Sequence, residues 1–128
     1  MKRIGAVLTI MIGFAAGRPL VAHHSFAAAY DPEHTIQIEG VMTELVWRNP
    51  HSFMKMDVTD KDGATKSWTL EWGSATQLAQ SQITRTSLKP GDHLLVSGRP
   101  ARDTASPRVL IQTVKRLSDG WVWNGKVE

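Results

Sequence analysis

Three histidines and one glutamate are the residues of this chain best equipped for chemistry: His23, His24, His51 and Glu71. Neutral imidazole ligates copper, zinc and nickel, and an amine meeting imidazoles in a near-planar array favours copper(II). His23-His24 directly follows Ala22, the small residue that closes a stretch reading as an export signal. Lys2 and Arg3 give that stretch a positive start, Ile4 to Gly17 is an uncharged apolar run, and Arg18-Pro19 ends it. The run is too short and wrongly flanked for a membrane span. Cleavage after Ala22 makes His23 the first residue of the exported protein, with an α-amine and a ring on one residue to chelate an ion. Cleavage at Ala15-Ala16-Gly17 instead leaves Arg18 first and both histidines inside a tail.

His51 follows Asn49-Pro50, a turn signal, and opens a strand, so its ring can serve as a rigid third ligand for a docked amino terminus. Glu71 has the parity opposite to Trp68, Leu70 and Trp72. From there it can complete the site or hold one imidazole by its second nitrogen. Plainer roles fit the same residues: His51 bonding a backbone carbonyl of the proline turn, and His23-His24 in a disordered tail. Trp47, out of phase with the inward isoleucines, is expected at a groove beside His51, together with Asn49, whose amide also suits the turn itself. Trp68 and Trp72 share the parity of Leu70 and are expected in the core. His34 and His93 read as surface turn residues.

These side chains need a frame, and the alternation of apolar residues supplies one. Residues 23–34 read as an extended leader, with Phe26 and Tyr30 as its large apolar groups and Asp31-Pro32 as its end. Thr35 to Trp47 alternates as a long first strand whose phase slips, with Gly40 at the expected bend. Ser52 to Val58 and Lys66 to Trp72 follow as strands two and three around the Asp60-Lys61-Asp62-Gly63 turn. Ser74 is the N-cap expected for a helix from Ala75 to Gln82. Leu94 to Val96 and Arg108 to Lys115 are strands four and five, separated by a turn-rich loop over 98–107. Three strands, a helix and two strands, all-β with one short helix, is the order of a small five-stranded oligonucleotide/oligosaccharide-binding (OB-like) barrel over residues 35–117. Residues 118–128 form a tail, either an edge strand or a flap.

Composition narrows the function. Removing 22 of the 128 residues leaves 106, enough for one core. Lys2, Arg3 and Arg18 account for three of the 15 basic residues, so 12 basic and 12 acidic remain and the exported chain is formally neutral. With no Lys/Arg cluster interleaved with aromatics, nucleic acid is not an expected partner. The chain has no cysteine, which excludes disulfides, thiolate catalysis and a lipid-anchored amino terminus. A nucleophile elbow, a phosphate loop and a triad are also missing, so no enzyme is expected.

Several motifs carry a resemblance. His23-His24-Ser25-Phe26-Ala27-Ala28 with Tyr30-Asp31, then Gly40-x-Met42, Trp47-x-Asn49-Pro50-His51, Trp68-x-x-Glu71 and Ser87-Leu88-Lys89-Pro90-Gly91-Asp92 are all present. With these the chain resembles the short exported bacterial proteins grouped as domain-of-unknown-function family 6152, over the mature chain to about residue 103. Members usually carry Gly-Trp where this chain has Gln82-Ile83, and a Gly where it has Thr104. The resemblance implies export and no particular activity.

The expectation is therefore a periplasmic or secreted bacterial module that binds a divalent metal, copper above others, through His23, His24 and His51. The alternative is a metal-free interaction domain whose groove of Trp47, Asn49 and Glu71 holds a periplasmic protein segment or a small ligand. Neither reading leaves a membrane span after the signal is removed.

Overall fold

The computed structural model describes residues 26–125. The expected signal, its cleavage site, and His23 and His24 lie outside the described residues. The first described residues are not extended: Phe26–Ala29 forms a single helical turn, α1, closed by the Tyr30 amide donating to the Phe26 carbonyl at 2.8 Å. Three alanines in this short stretch favour a helical turn over an extended leader. The turn ends before Asp31-Pro32.

Six strands follow: β1 Ile36–Val46, β2 Phe53–Thr59, β3 Thr65–Glu71, β4 His93–Pro100, β5 Arg108–Arg116 and β6 Val122–Asn124. The first half of β1 pairs antiparallel with β4 and its second half with β2, so one bent strand spans two neighbours. β2 pairs with β3, and β4 with β5. A short parallel ladder, Thr69–Arg108, Leu70–Val109 and Glu71–Leu110, then joins β3 to β5 and closes a five-stranded barrel. The fold is the OB-like barrel expected, mostly β with two short helices. The tail supplies β6, which pairs with β5 and buries Trp123.

Inward positions are Met42, Met54, Met56, Leu70, Leu94, Val96, Val109, Ile111 and Val114, all buried. Trp72 and Trp123 meet edge-on at 5.1 Å across this core, a favoured aromatic arrangement. α2, Ala75–Gln80, sits between β3 and β4 and inserts Leu78 into the core. Its start is a capping box: Ser74 Oγ accepts from the Gln77 amide, and Gln77 Oε1 accepts from the Ser74 amide, each at 3.0 Å. The helix stops two residues short of the expected Gln82, which instead has φ 61°.

The slip in β1 falls later than expected. Gly40 stays in phase and buried, and the extra residue lies between Met42 and Glu44, at Thr43. Met42 therefore points inward, 1% exposed, and Val41 is 42% exposed. Gly40 answers to a close approach: a Cβ there would stand 2.2 Å from the Asp57 carbonyl oxygen. After the bulge the odd positions Leu45 and Trp47 turn toward the core. β4 also runs through Gly98 to Pro100, into what reads in the sequence as loop.

Among the described residues no helix is long and apolar enough to cross a membrane.

Candidate functional site

Because Met54 and Leu70 point inward as a cross-strand pair, the adjacent pair Phe53 and Glu71 faces out of the barrel. Glu71 is nevertheless buried, with its side chain 10% exposed, because the leader lies over it. The leader is clamped to the β4–β5 side by its backbone. The Asp31 amide donates to the Pro100 carbonyl at 2.9 Å and the Arg102 amide to the Ala29 carbonyl at 3.0 Å. Arg102 Nε donates to the Ala27 carbonyl at 2.8 Å. This clamp sets Tyr30, 2% exposed, over the outer face of β3 within hydrogen-bond reach of Glu71.

Glu71 is the hub of what collects there. Tyr30 Oη donates to Oε2 at 2.5 Å, and His51 Nδ1 lies 2.6 Å from Oε1. An ionised carboxylate only accepts hydrogen bonds, so the His51 proton sits on Nδ1 and the lone pair on Nε2. Arg108, at the start of β5, places a guanidinium nitrogen 3.6 Å from Oε2 and stands 6.0 Å from the Tyr30 ring centroid. Burial, reinforced by the bond to Glu71 and then by its charge, pushes the Tyr30 phenol far above its ordinary range, so it remains a donor.

His51 itself is 31% exposed in its side chain. Its ring stacks on Phe26, with centroids 4.8 Å apart and planes at 28°. No described residue bonds Nε2. A histidine whose Nδ1–H is held by a carboxylate while Nε2 stays open has the outer-sphere arrangement common to metal-ligating histidines. Among the described residues no group of three His, Cys, Asp or Glu side chains converges. His51 and Glu71 make a pair, in which both Glu71 oxygens already accept from Tyr30 and His51.

The other expected site residues take different posts. Trp47 packs on the core. Asn49, in a cis peptide bond with Pro50, has Oδ1 accepting from the Thr76 amide at 3.2 Å and so ties the β1–β2 loop to α2. Neither bonds Glu71. His34 lies 2.6 Å from Asp31 and His93 3.0 Å from Glu39, both on the surface. Sequence reading missed Tyr30 and Arg108, which lie 41 and 37 positions from Glu71. The available signals were that Tyr30 is the lone tyrosine and that Arg108 opens a strand.

The cluster lies between the β1–β2 loop, which holds His51, and the β4–β5 loop, which ends at Arg108. That is the place where OB barrels hold ligands. The mitochondrial single-stranded DNA-binding protein of S. cerevisiae is similar in fold, with a TM-score of 0.50 at 13% identity, covering 66% of this chain and 93% of that one. A small single-stranded DNA-binding protein from Streptomyces coelicolor gives a TM-score of 0.47 at 23% identity, over 69% of this chain and 96% of that one. No curated protein matches the chain. The exclusion of nucleic acid drawn from charge is corrected by the yeast structure, because a barrel of this fold does bind single-stranded DNA. Formal neutrality was counted over residues 23–128 together and does not describe one face of a barrel. At this identity the likeness is one of fold. Residues 12–109 match one family, the one the sequence resembles: the chain belongs to the family of unknown function DUF6152.

Proposed function

We propose that this chain is an exported copper(II)-binding module, with the ion held by His51 Nε2 and by His23 and His24 once the signal is removed after Ala22. The observation that carries this reading is the posture of His51. Its Nδ1–H is fixed by Glu71 at 2.6 Å and its ring is covered by Phe26 at 4.8 Å. Phe26 is two residues downstream of His24, and two residues span at most about 7 Å. That separation is short enough for the proposed site to use His24 beside His51. The α-amine and ring of His23, with the rings of His24 and His51, make a nitrogen set suited to copper(II). Glu71 orients a ligand instead of contacting the ion, and the barrel fixes Glu71. Intact mass and metal content of the exported protein test this together. The expected mass begins at His23 and the expected content is one copper per chain. A mass beginning at Arg18 or Met1, or protein that takes up no copper, contradicts it.

A second reading, single-stranded nucleic acid on the same face, is favoured by Phe53. That ring faces outward on β2 with Arg48 stacked 5.1 Å from its centroid, a pair on which bases can stack. Fluorescence anisotropy with a labelled single-stranded oligonucleotide, with Phe53→Ala alongside, tests it. Binding lost in the variant supports this reading, and no binding by the wild type removes it.

A further inference from the structure

We infer that Tyr30 is a positioning residue for His51: its hydroxyl anchors Glu71 so that the carboxylate serves the imidazole instead of turning to Arg108. The inference deepens the metal reading and rests on it only for its copper arm.

The geometry sets up a contest over one carboxylate. Oε2 of Glu71 accepts from the Tyr30 hydroxyl at 2.5 Å, while a guanidinium nitrogen of Arg108 waits 3.6 Å from the same oxygen. That separation is within Coulombic reach but too long for a hydrogen bond. An arginine fork binds a carboxylate best with both oxygens facing it. Such a turn would carry Oε1 away from His51, which it now holds at 2.6 Å. The phenol prevents the turn. It is 2% exposed, fixed by the bridge between Tyr30 and Ala101, and flanked by Phe26 at 6.4 Å and Arg108 at 6.0 Å between ring centres or guanidinium carbon. It cannot swing aside as a surface serine could. Its protonated state is secured by the same burial.

A consequence follows for the imidazole. Free imidazole favours the proton on Nε2, the nitrogen a metal needs open here. The bond from Nδ1–H to Glu71 reverses that preference and leaves the Nε2 lone pair toward solvent and the incoming chain. Tyr30 thus acts at one remove, through a carboxylate, on which nitrogen of His51 is available. The two residues are 21 positions apart in sequence and are linked through the two oxygens of Glu71.

The test needs no metal in its first arm. Long-range ¹H–¹⁵N spectra of full-length processed protein at pH 8 report the His51 tautomer. The wild type is expected to show Nδ1–H alone, and Tyr30→Phe, which keeps the ring, a mixture containing Nε2–H. Adding Arg108→Gln to Tyr30→Phe removes the competing guanidinium and is expected to restore Nδ1–H. Thermal melts confirm that each variant is folded before its ring is read. A Tyr30→Phe protein that keeps Nδ1–H alone overturns the inference, and so does a double variant that stays mixed. In the second arm copper(II) is titrated into the same proteins, and Tyr30→Phe is expected to bind about 10-fold more weakly, the lower end of the range for outer-sphere partners. Copper uptake by the wild type with an unchanged Tyr30→Phe ring sinks this inference alone. A tautomer shift without copper uptake by the wild type sinks the metal reading alone.

Discussion

Glu71→Ala is the perturbation that most directly measures the hub. It removes one acceptor group that serves Tyr30, His51 and Arg108 at 2.5, 2.6 and 3.6 Å. The three losses are unequal. Tyr30 is 2% exposed, so leaving its hydroxyl unpaired costs about 1–3 kcal/mol. His51 is 31% exposed in its side chain and can bond water, which limits its loss to about 0.5–1 kcal/mol. The Arg108 side chain is 45% exposed, and an ion pair of that kind contributes about 0–1 kcal/mol. Part of this is offset, because a carboxylate no longer has to be desolvated. The expected net cost is about 2–3 kcal/mol. For a domain of this size each kcal/mol moves the midpoint by about 4–8 °C, so thermal unfolding should shift down by about 10–20 °C. Glu71→Gln keeps an oxygen for His51 and should lose roughly half as much. Circular dichroism melts at neutral pH and low metal read both variants. A Glu71→Ala midpoint within about 3 °C of wild type would refute the reasoning, since the carboxylate would then hold nothing the fold depends on.

Three further outcomes are expected. Gly40→Ala should cost about 2 kcal/mol or more in urea unfolding, because the added Cβ would meet the Asp57 carbonyl oxygen at 2.2 Å and backbone yields little; a neutral substitution would contradict the close approach of β1 and β2. Gln82→Gly should stabilise the protein by about 0.5–1 kcal/mol in the same assay, since Gln82 sits at φ 61° and relief of left-handed strain exceeds the added chain entropy; a destabilised variant would contradict this. The Arg116 guanidinium, followed by the Trp121 amide, holds the Asp119 carboxyl below the usual carboxylate range. Its contribution is therefore fully present above the unfolded value of about 3.9 and is lost as pH falls below it toward the folded value. Melting midpoints should fall more steeply below about pH 4 for the wild type than for Asp119→Asn, and equal slopes would contradict the pairing.

The elements were legible in the sequence because alternation at period two survives in each strand and Ser74 marks the helix start. The bulge position was not. Val41 and Met42 are both apolar, so parity alone cannot say which faces inward, and Gly40 offers a plausible bend on either side. The packing of β1 against Asp57 decides it, and that contact joins distant segments. The same bulge explains Trp47, read as a groove residue yet turned inward by the extra residue at Thr43. In the site, His51 and Glu71 could be nominated by residue type and strand parity. Their bond could not, because it depends on the cross-strand register of Phe53 with Glu71. Tyr30 and Arg108 were invisible for a related reason: a clamped leader and a parallel β3–β5 ladder bring them together. Gln82 illustrates the reverse case, where a departure from a family glycine coincides with a left-handed residue.

In the proposed site a rigid His51 completes copper coordination with the histidines that begin the exported chain. Copper(II) titration of the processed protein, followed by electron paramagnetic resonance beside His51→Ala, tests it most directly. The wild type should take up one equivalent with a multi-nitrogen equatorial signal, and uptake should weaken in acid because protons compete with the ion for its nitrogen ligands. His51→Ala should keep its fold, lose one nitrogen from the signal and bind more than about 100-fold more weakly, beyond the loss expected from an outer-sphere partner. A wild type that binds copper no better than a peptide of its first residues, or a His51→Ala protein with the wild-type spectrum and affinity, would contradict the claim.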